Sequence, residues 1–138
     1  MAVIPGISAR FQRFGANASG SVSEVSLIAQ TRIATVPDQS ANGGNWARVG
    51  TMKVTVAKGG SSSLFRFYKA DDNGSGAPDT WTEVARIELP DAGIMSDPDL
   101  GIFIEAGQWY KVTVIQSTAA RCSASLLGGC HIDDLVDI

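Results

Sequence analysis

Leu64-Phe-Arg-Phe-Tyr-Lys69 and Trp81-Thr-Glu-Val-Ala-Arg-Ile-Glu-Leu89 stand on either side of the polar run Asp71-Asp-Asn-Gly-Ser-Gly-Ala-Pro-Asp79. Aromatic and β-branched residues dominate the flanks and suit pleated, half-buried strands. The Gly, Asn, Asp and Pro between them supply turn geometries that a strand cannot tolerate. The stretch declares a β protein and contains the one loop whose residues resemble a set of metal ligands.

The same period continues outward from it. Met52, Val54 and Val56 alternate with Thr51, Lys53 and Thr55, which places the first three toward a core. From Gln108 to Gln116, Tyr110, Val112 and Val114 are expected to point inward and Trp109, Lys111 and Thr113 outward. Trp81, Ala85, Ile87 and Leu89 share a parity, as do Val25, Leu27, Ala29, Thr31 and Ile33 in a segment long enough to need a bend. Pro37 to Asn45 and Asp91 to Asp99 read as connections, and Arg121 to Leu127 as a further strand before Gly128-Gly129. Residues 1–21 show no clean period and read as an N-terminal arm. The expected organisation is an arm over 1–21, a sandwich over 22–130 and a tail over 131–138. Seven to eight short strands with no amphipathic helix indicate an all-β fold, a single antiparallel β-sandwich or jelly roll.

Composition narrows the function. A chain of 138 residues fits one domain with a real core. Charged residues form 18% of it, below the average of roughly 25%, and the mean hydropathy is +0.08, so apolar surface is left over for assembly. A net charge of -3 without a basic stripe argues against nucleic acid as a partner. No run approaches the ~18 apolar residues that span a bilayer, so no membrane partner is expected. The start Met1-Ala-Val-Ile-Pro-Gly lacks a basic n-region and is broken by Pro5 and Gly6, so synthesis in the cytoplasm without a signal peptide is the expectation. Cys122 and Cys130 would lie roughly 26 Å apart on one extended strand and out of register across a turn at Gly128-Gly129. They are expected as reduced, buried thiols, consistent with a cytosolic origin.

The candidate chemistry is sparse. Asp71, Asn73, Ser75 and Asp79 resemble the opening of a calcium loop, with alternate oxygen ligands and a glycine for the turn. The twelfth position, where a bidentate Glu belongs, is Thr82, so the loop reads first as a surface connection. His131 is the sole histidine, and its neighbour Cys130 would face the opposite side of a strand. No Gly-x-Ser-x-Gly elbow, phosphate-binding loop or His-Glu-x-x-His pair occurs, so no catalytic residues or cofactors are assigned and no enzyme is expected. Trp46, Trp81 and Trp109 with Tyr68 and Tyr110 offer stacking surfaces. Trp109 is the one that parity places outward, fit for a glycan or a protein interface.

The start Met1 to Gly6, an arm before the first strand, the turn-rich strands through Leu127 and the missing catalytic set together resemble small virion proteins of tailed bacteriophages. These are head decoration or stabilisation proteins built on one jelly-roll-like sandwich. The resemblance implies a non-enzymatic virion protein that forms a homo-oligomer, a trimer among its forms, and clamps neighbouring capsid subunits. The expected interface comprises the arm residues Val3, Ile4, Ile7, Phe11 and Phe14, together with Trp109 and the tail residues Ile132, Leu135, Val136 and Ile138. The alternative is a β-sandwich carbohydrate-binding module using Trp109, assisted by calcium in the Asp71 loop.

Overall fold

The computed structural model describes residues 9–17, 22–33, 46–57 and 61–131. Among them are nine strands: β1 (Ala9–Asn17), β2 (Val25–Arg32), β3 (Trp46–Val56), β4 (Ser63–Ala70), β5 (Thr82–Leu89), β6 (Gly93–Asp97), β7 (Ile102–Glu105), β8 (Trp109–Gln116) and β9 (Cys122–His131). One sheet runs β1-β9-β3-β6, with β7 also on β3, and the other runs β2-β8-β4-β5. All pairings are antiparallel.

β6 and β7 lie end to end along β3, facing Met52 to Val56 and Trp46 to Val49 respectively, and so behave as one interrupted strand. Counted that way, the chain is a long antiparallel hairpin: β1 pairs β9, β2 pairs β8, β3 pairs β6/β7 and β4 pairs β5. Wrapping that hairpin on itself distributes its four pairs between two sheets, which is the jelly roll. The all-β sandwich inferred from alternation is therefore the observed fold.

The core lies between the sheets. Met52 and Val54 from β3, Phe65 and Phe67 from β4, and Tyr110, Val112 and Val114 from β8 are all fully buried, as their alternation requires. Phe11 and Phe67 meet the Tyr110 ring edge-on at centroid distances of 5.9 and 6.5 Å. In β2 the register slips between Ser26 and Ile28 and again before Thr31, so Ile28 is buried and Ala29 is exposed. The expected bend is thus a bulge, and it replaces Ala29 by Ile28 in the core.

Three expectations are corrected. Residues 9–17 of the arm are β1, paired along its whole length with β9, and Phe11 is 0% exposed in the core rather than at an interface. The segment Asp91 to Asp99 contains β6; its outward Ile94 and half-open Met95 hide the alternation because the strand lies at a sheet edge. Gly128-Gly129 does not end the last strand but lies inside β9, which runs to His131. A Cβ at Gly128 would overlap the carbonyl oxygen of Arg48, so glycine lets β9 close on β3 beside the bulge between Val49 and Thr51. Gly15 does the same where β1 closely approaches β2 of the facing sheet, since a Cβ there would overlap the Leu27 carbonyl.

Candidate docking surfaces

The Asp71 loop closes on itself. The Asp79 amide donates to the Asp71 carbonyl and the Asn73 amide to the Ala77 carbonyl, both at 2.8 Å. Asn73 Oδ1 accepts from the amides of Ser75 (2.7 Å) and Ala77 (3.4 Å), and Asp72 Oδ2 from those of Gly74 (2.8 Å) and Gly76 (3.3 Å). Asp71 Oδ1 accepts from Gln108 Nε2 at 2.8 Å. Among the described residues no three His, Cys, Asp or Glu side chains gather as a metal would need. Of the proposed ligands Asp71, Asn73, Ser75 and Asp79, the side-chain oxygens of Asp71 and Asn73 serve as cross-loop and turn acceptors.

Asp72, which no motif singled out, anchors this loop to β8. Its Oδ1 accepts from Trp109 Nε1 at 3.0 Å and lies 3.6 Å from Arg32 Nη2. The Trp109 hydrogen bond, with the Gly74 and Gly76 amides and Arg32, outweighs desolvation and holds the Asp72 carboxyl below its ordinary range. Trp109 does point outward, as expected. It is half-buried, however, with its N–H satisfied by Asp72 and Arg32 at 6.0 Å from its ring. A ring so engaged is a poor stacking platform.

The outer face of the β2-β8-β4-β5 sheet is a set of matched charges. Glu24 accepts from Thr113 Oγ1 (2.6 Å), Tyr68 Oη (2.9 Å) and Arg66 Nη1 (3.2 Å). Arg66 Nε lies 3.1 Å from Glu83, which also binds Arg86 at 3.0 Å. Burial pushes the Glu24 carboxyl up, but the Thr113 and Tyr68 hydrogen bonds and the charges of Arg66 and Lys111 bring it below its ordinary value. Lys111 Nζ lies 4.4 Å from the Trp81 centroid and 5.1 Å from that of Tyr68, a cation held between two rings. Trp81 and Tyr68 are thereby accounted for within the fold.

The other outer face differs. β1, β9 and β3 lie side by side and contain no Asp or Glu, while Arg48 and Lys53 project from β3. Phe14 on β1 is 68% exposed and Ile94 on the neighbouring β6 is 66% exposed. Thr55 and Ser123 hydrogen-bond across β3 and β9, so the ground between those side chains is short and polar. At the far end Trp46 stacks on Phe103 with centroids 5.6 Å apart. Next to them is an open groove of about 310 Å³, lined by Arg48, Gly50, Pro98, Asp99, Gly101, Gly128 and Gly129.

Of the expected interface residues, Phe14 is thus on an exposed face, Phe11 is in the core and Trp109 is on the opposite sheet. Val3, Ile4, Ile7, Ile132, Leu135, Val136 and Ile138 fall outside the described residues. Sequence reasoning missed Ile94 and Phe103, one in an unrecognised strand and one in the short β7. It also missed Arg48, because the carboxylate-free surface forms only when β1, β9 and β3 pair.

Both cysteines are buried and free on β9, as expected, with their thiols pushed up by burial. Inside the sandwich Arg13 donates to Thr31 Oγ1 at 3.1 Å near the Tyr110 hydroxyl, which burial pushes up to about 12.

No family model and no curated protein matches the sequence. Among solved structures, the chain is similar to one from the disulfide-linked pili of Bacillus endospore appendages. The two share 12% identity over 94% of this chain and 96% of that one, with a TM-score of 0.47. A chain of the infectious bursal disease virus Gx strain is 10% identical over 92% of this chain and 37% of that one, with a TM-score of 0.45. One of Desmodium yellow mottle tymovirus is 9% identical over 96% and 90%, with a TM-score of 0.38. Strand order and register, rather than these likenesses, define the jelly roll described above.

Proposed function

We propose that this chain is a non-enzymatic structural protein that binds other protein subunits and forms a homo-oligomer. The observation that carries the reading is the contrast between its two outer faces. Charges on the β2-β8-β4-β5 face are paired within the subunit, whereas the contiguous β1-β9-β3 surface carries no carboxylate and exposes Phe14, with Ile94 on the adjoining strand. Depletion of charge around exposed apolar side chains is the composition of an interface centre. The apolar residues of the two chain ends, Val3, Ile4 and Ile7 before β1 and Ile132, Leu135, Val136 and Ile138 after β9, add contact area on neighbouring subunits. Within this class the sequence's resemblance favours a virion protein of the tailed-phage decoration or stabilisation type, made in the host cytoplasm and assembled as a trimer on a capsid.

Placing a carboxylate on the docking face tests the reading. Phe14→Glu or Ile94→Glu should weaken association at least about tenfold in sedimentation, while Val84→Glu on the other sheet should leave it unchanged. Equal association in all three variants would refute the assignment of the face.

A further inference from the structure

We propose that the glycine-floored groove beside Arg48 receives the acidic, aliphatic segment 132–138 of a second copy of this chain. The inference rests on the assembly reading and names the contact through which copies join.

The groove has a structural cause. The strand opposite β3 is interrupted between β6 and β7 at residues 98–101, which opens a gap along the sheet edge. In the same place β3 bulges at Gly50, and β9 contributes Gly128 and Gly129, so the floor is backbone. Arg48 pairs with Gly129 on one side and with Phe103, 43% exposed, on the other, and its Nη2 lies beside Gly101 in the gap, 3.8 Å from where a Cβ would stand there. Among the described residues no carboxylate lies within ion-pair distance of Arg48. The strand-borne arginines of the opposite sheet, Arg32, Arg66 and Arg86, each have one.

The occupant must therefore bring a carboxylate, an extended backbone thin enough for a glycine floor, and aliphatic groups for Phe103 and its stacked partner Trp46. Residues 132–138 read Ile-Asp-Asp-Leu-Val-Asp-Ile, three carboxylates among four aliphatic side chains. They follow β9 directly in sequence, and their carboxylates complement Arg48 and Lys53 on a set of strands that bears no Asp or Glu. The lining also contains Asp99, so Arg48 is the one side chain of the groove with which an incoming carboxylate can pair. Seven residues span at most about 25 Å when fully extended.

Sedimentation of the full chain over a concentration series tests this with two charge variants and their mixture. Arg48→Glu should weaken self-association at least about tenfold, because it sets like charges against each other. Asp133→Lys/Asp134→Lys/Asp137→Lys should do the same. Mixing the two in equal amounts opposes Arg48 of one variant to the unaltered segment of the other, and the introduced glutamate to the lysine-bearing segment. The mixture should therefore restore association to within about threefold of the wild type. Restoration also demonstrates that both variants fold. If the wild type associates and the single variants associate equally well, the groove assignment is wrong while the assembly reading stands. Weakening without rescue on mixing would place the segment on its own subunit and overturn the proposal. Glycan binding that Arg48→Glu abolishes, with association untouched, would overturn it in favour of a sugar. A wild type that stays monomeric removes the assembly reading, and this inference with it.

Discussion

At the scale of single residues, the outer charges of the β2-β8-β4-β5 sheet act to hold the fold together, and Asp72 shows how. Its carboxylate joins the loop after β4 to the start of β8 through Trp109 Nε1 and to β2 through Arg32. Because its folded-state value is depressed, the stability it contributes is present above the ordinary carboxylate range and is lost as pH falls through the depressed value. The midpoint of the Trp109 indole N–H shift on acidification should fall below the ordinary Asp value of about 3.9. A shift centred above pH 5 would show that Asp72 does not hold this hydrogen bond. The sequence displayed the loop plainly but not its anchor, because Asp72 lies between the alternate positions that a calcium motif selects. Its partners Trp109 and Arg32 are 37 and 40 residues away and meet it through sheet pairing alone.

Elements carry the distinction between core and docking surface, and β1 shows it most clearly because Phe11 and Phe14 lie on its opposite faces. Phe11→Ala should destabilise the protein by about 3–5 kcal/mol in urea unfolding, whereas Phe14→Ala should stay within about 0.5 kcal/mol. Equal effects would contradict the registration of β1 on β9. It follows that removing residues 1–14 would take most of a core strand. In β9, Gly128→Ala should cost about 3 kcal/mol because its Cβ meets a backbone oxygen. Gly50→Ala, whose Cβ would lie 3.9 Å from the nearest atom outside its chain neighbours, should cost less than about 1 kcal/mol. Strands such as β3, β4 and β8 were legible because both their neighbours and their inner face enforce strict alternation. β1 was not, since Arg13 turns inward to Thr31 and Gly15 occupies a close crossing, which erases the apolar period. β6 escaped notice as a five-residue edge strand with an open inner side, and the second half of β9 because glycines needed for strand contact look like a turn.

For the whole molecule, the jelly roll supplies two broad faces, and the distribution of charge decides which of them is free to bind. Alternation alone was enough to yield the sandwich, but faces are built from strands distant in the chain. The carboxylate-free surface becomes visible only when β1, β9 and β3 are set side by side. The central claim is that this face joins copies of the chain into an assembly. The most direct test is the native mass of the full chain across a concentration series in isolation. The account predicts a rise from monomer to one discrete oligomer, lost in Phe14→Glu; a monomer mass at every concentration would contradict it.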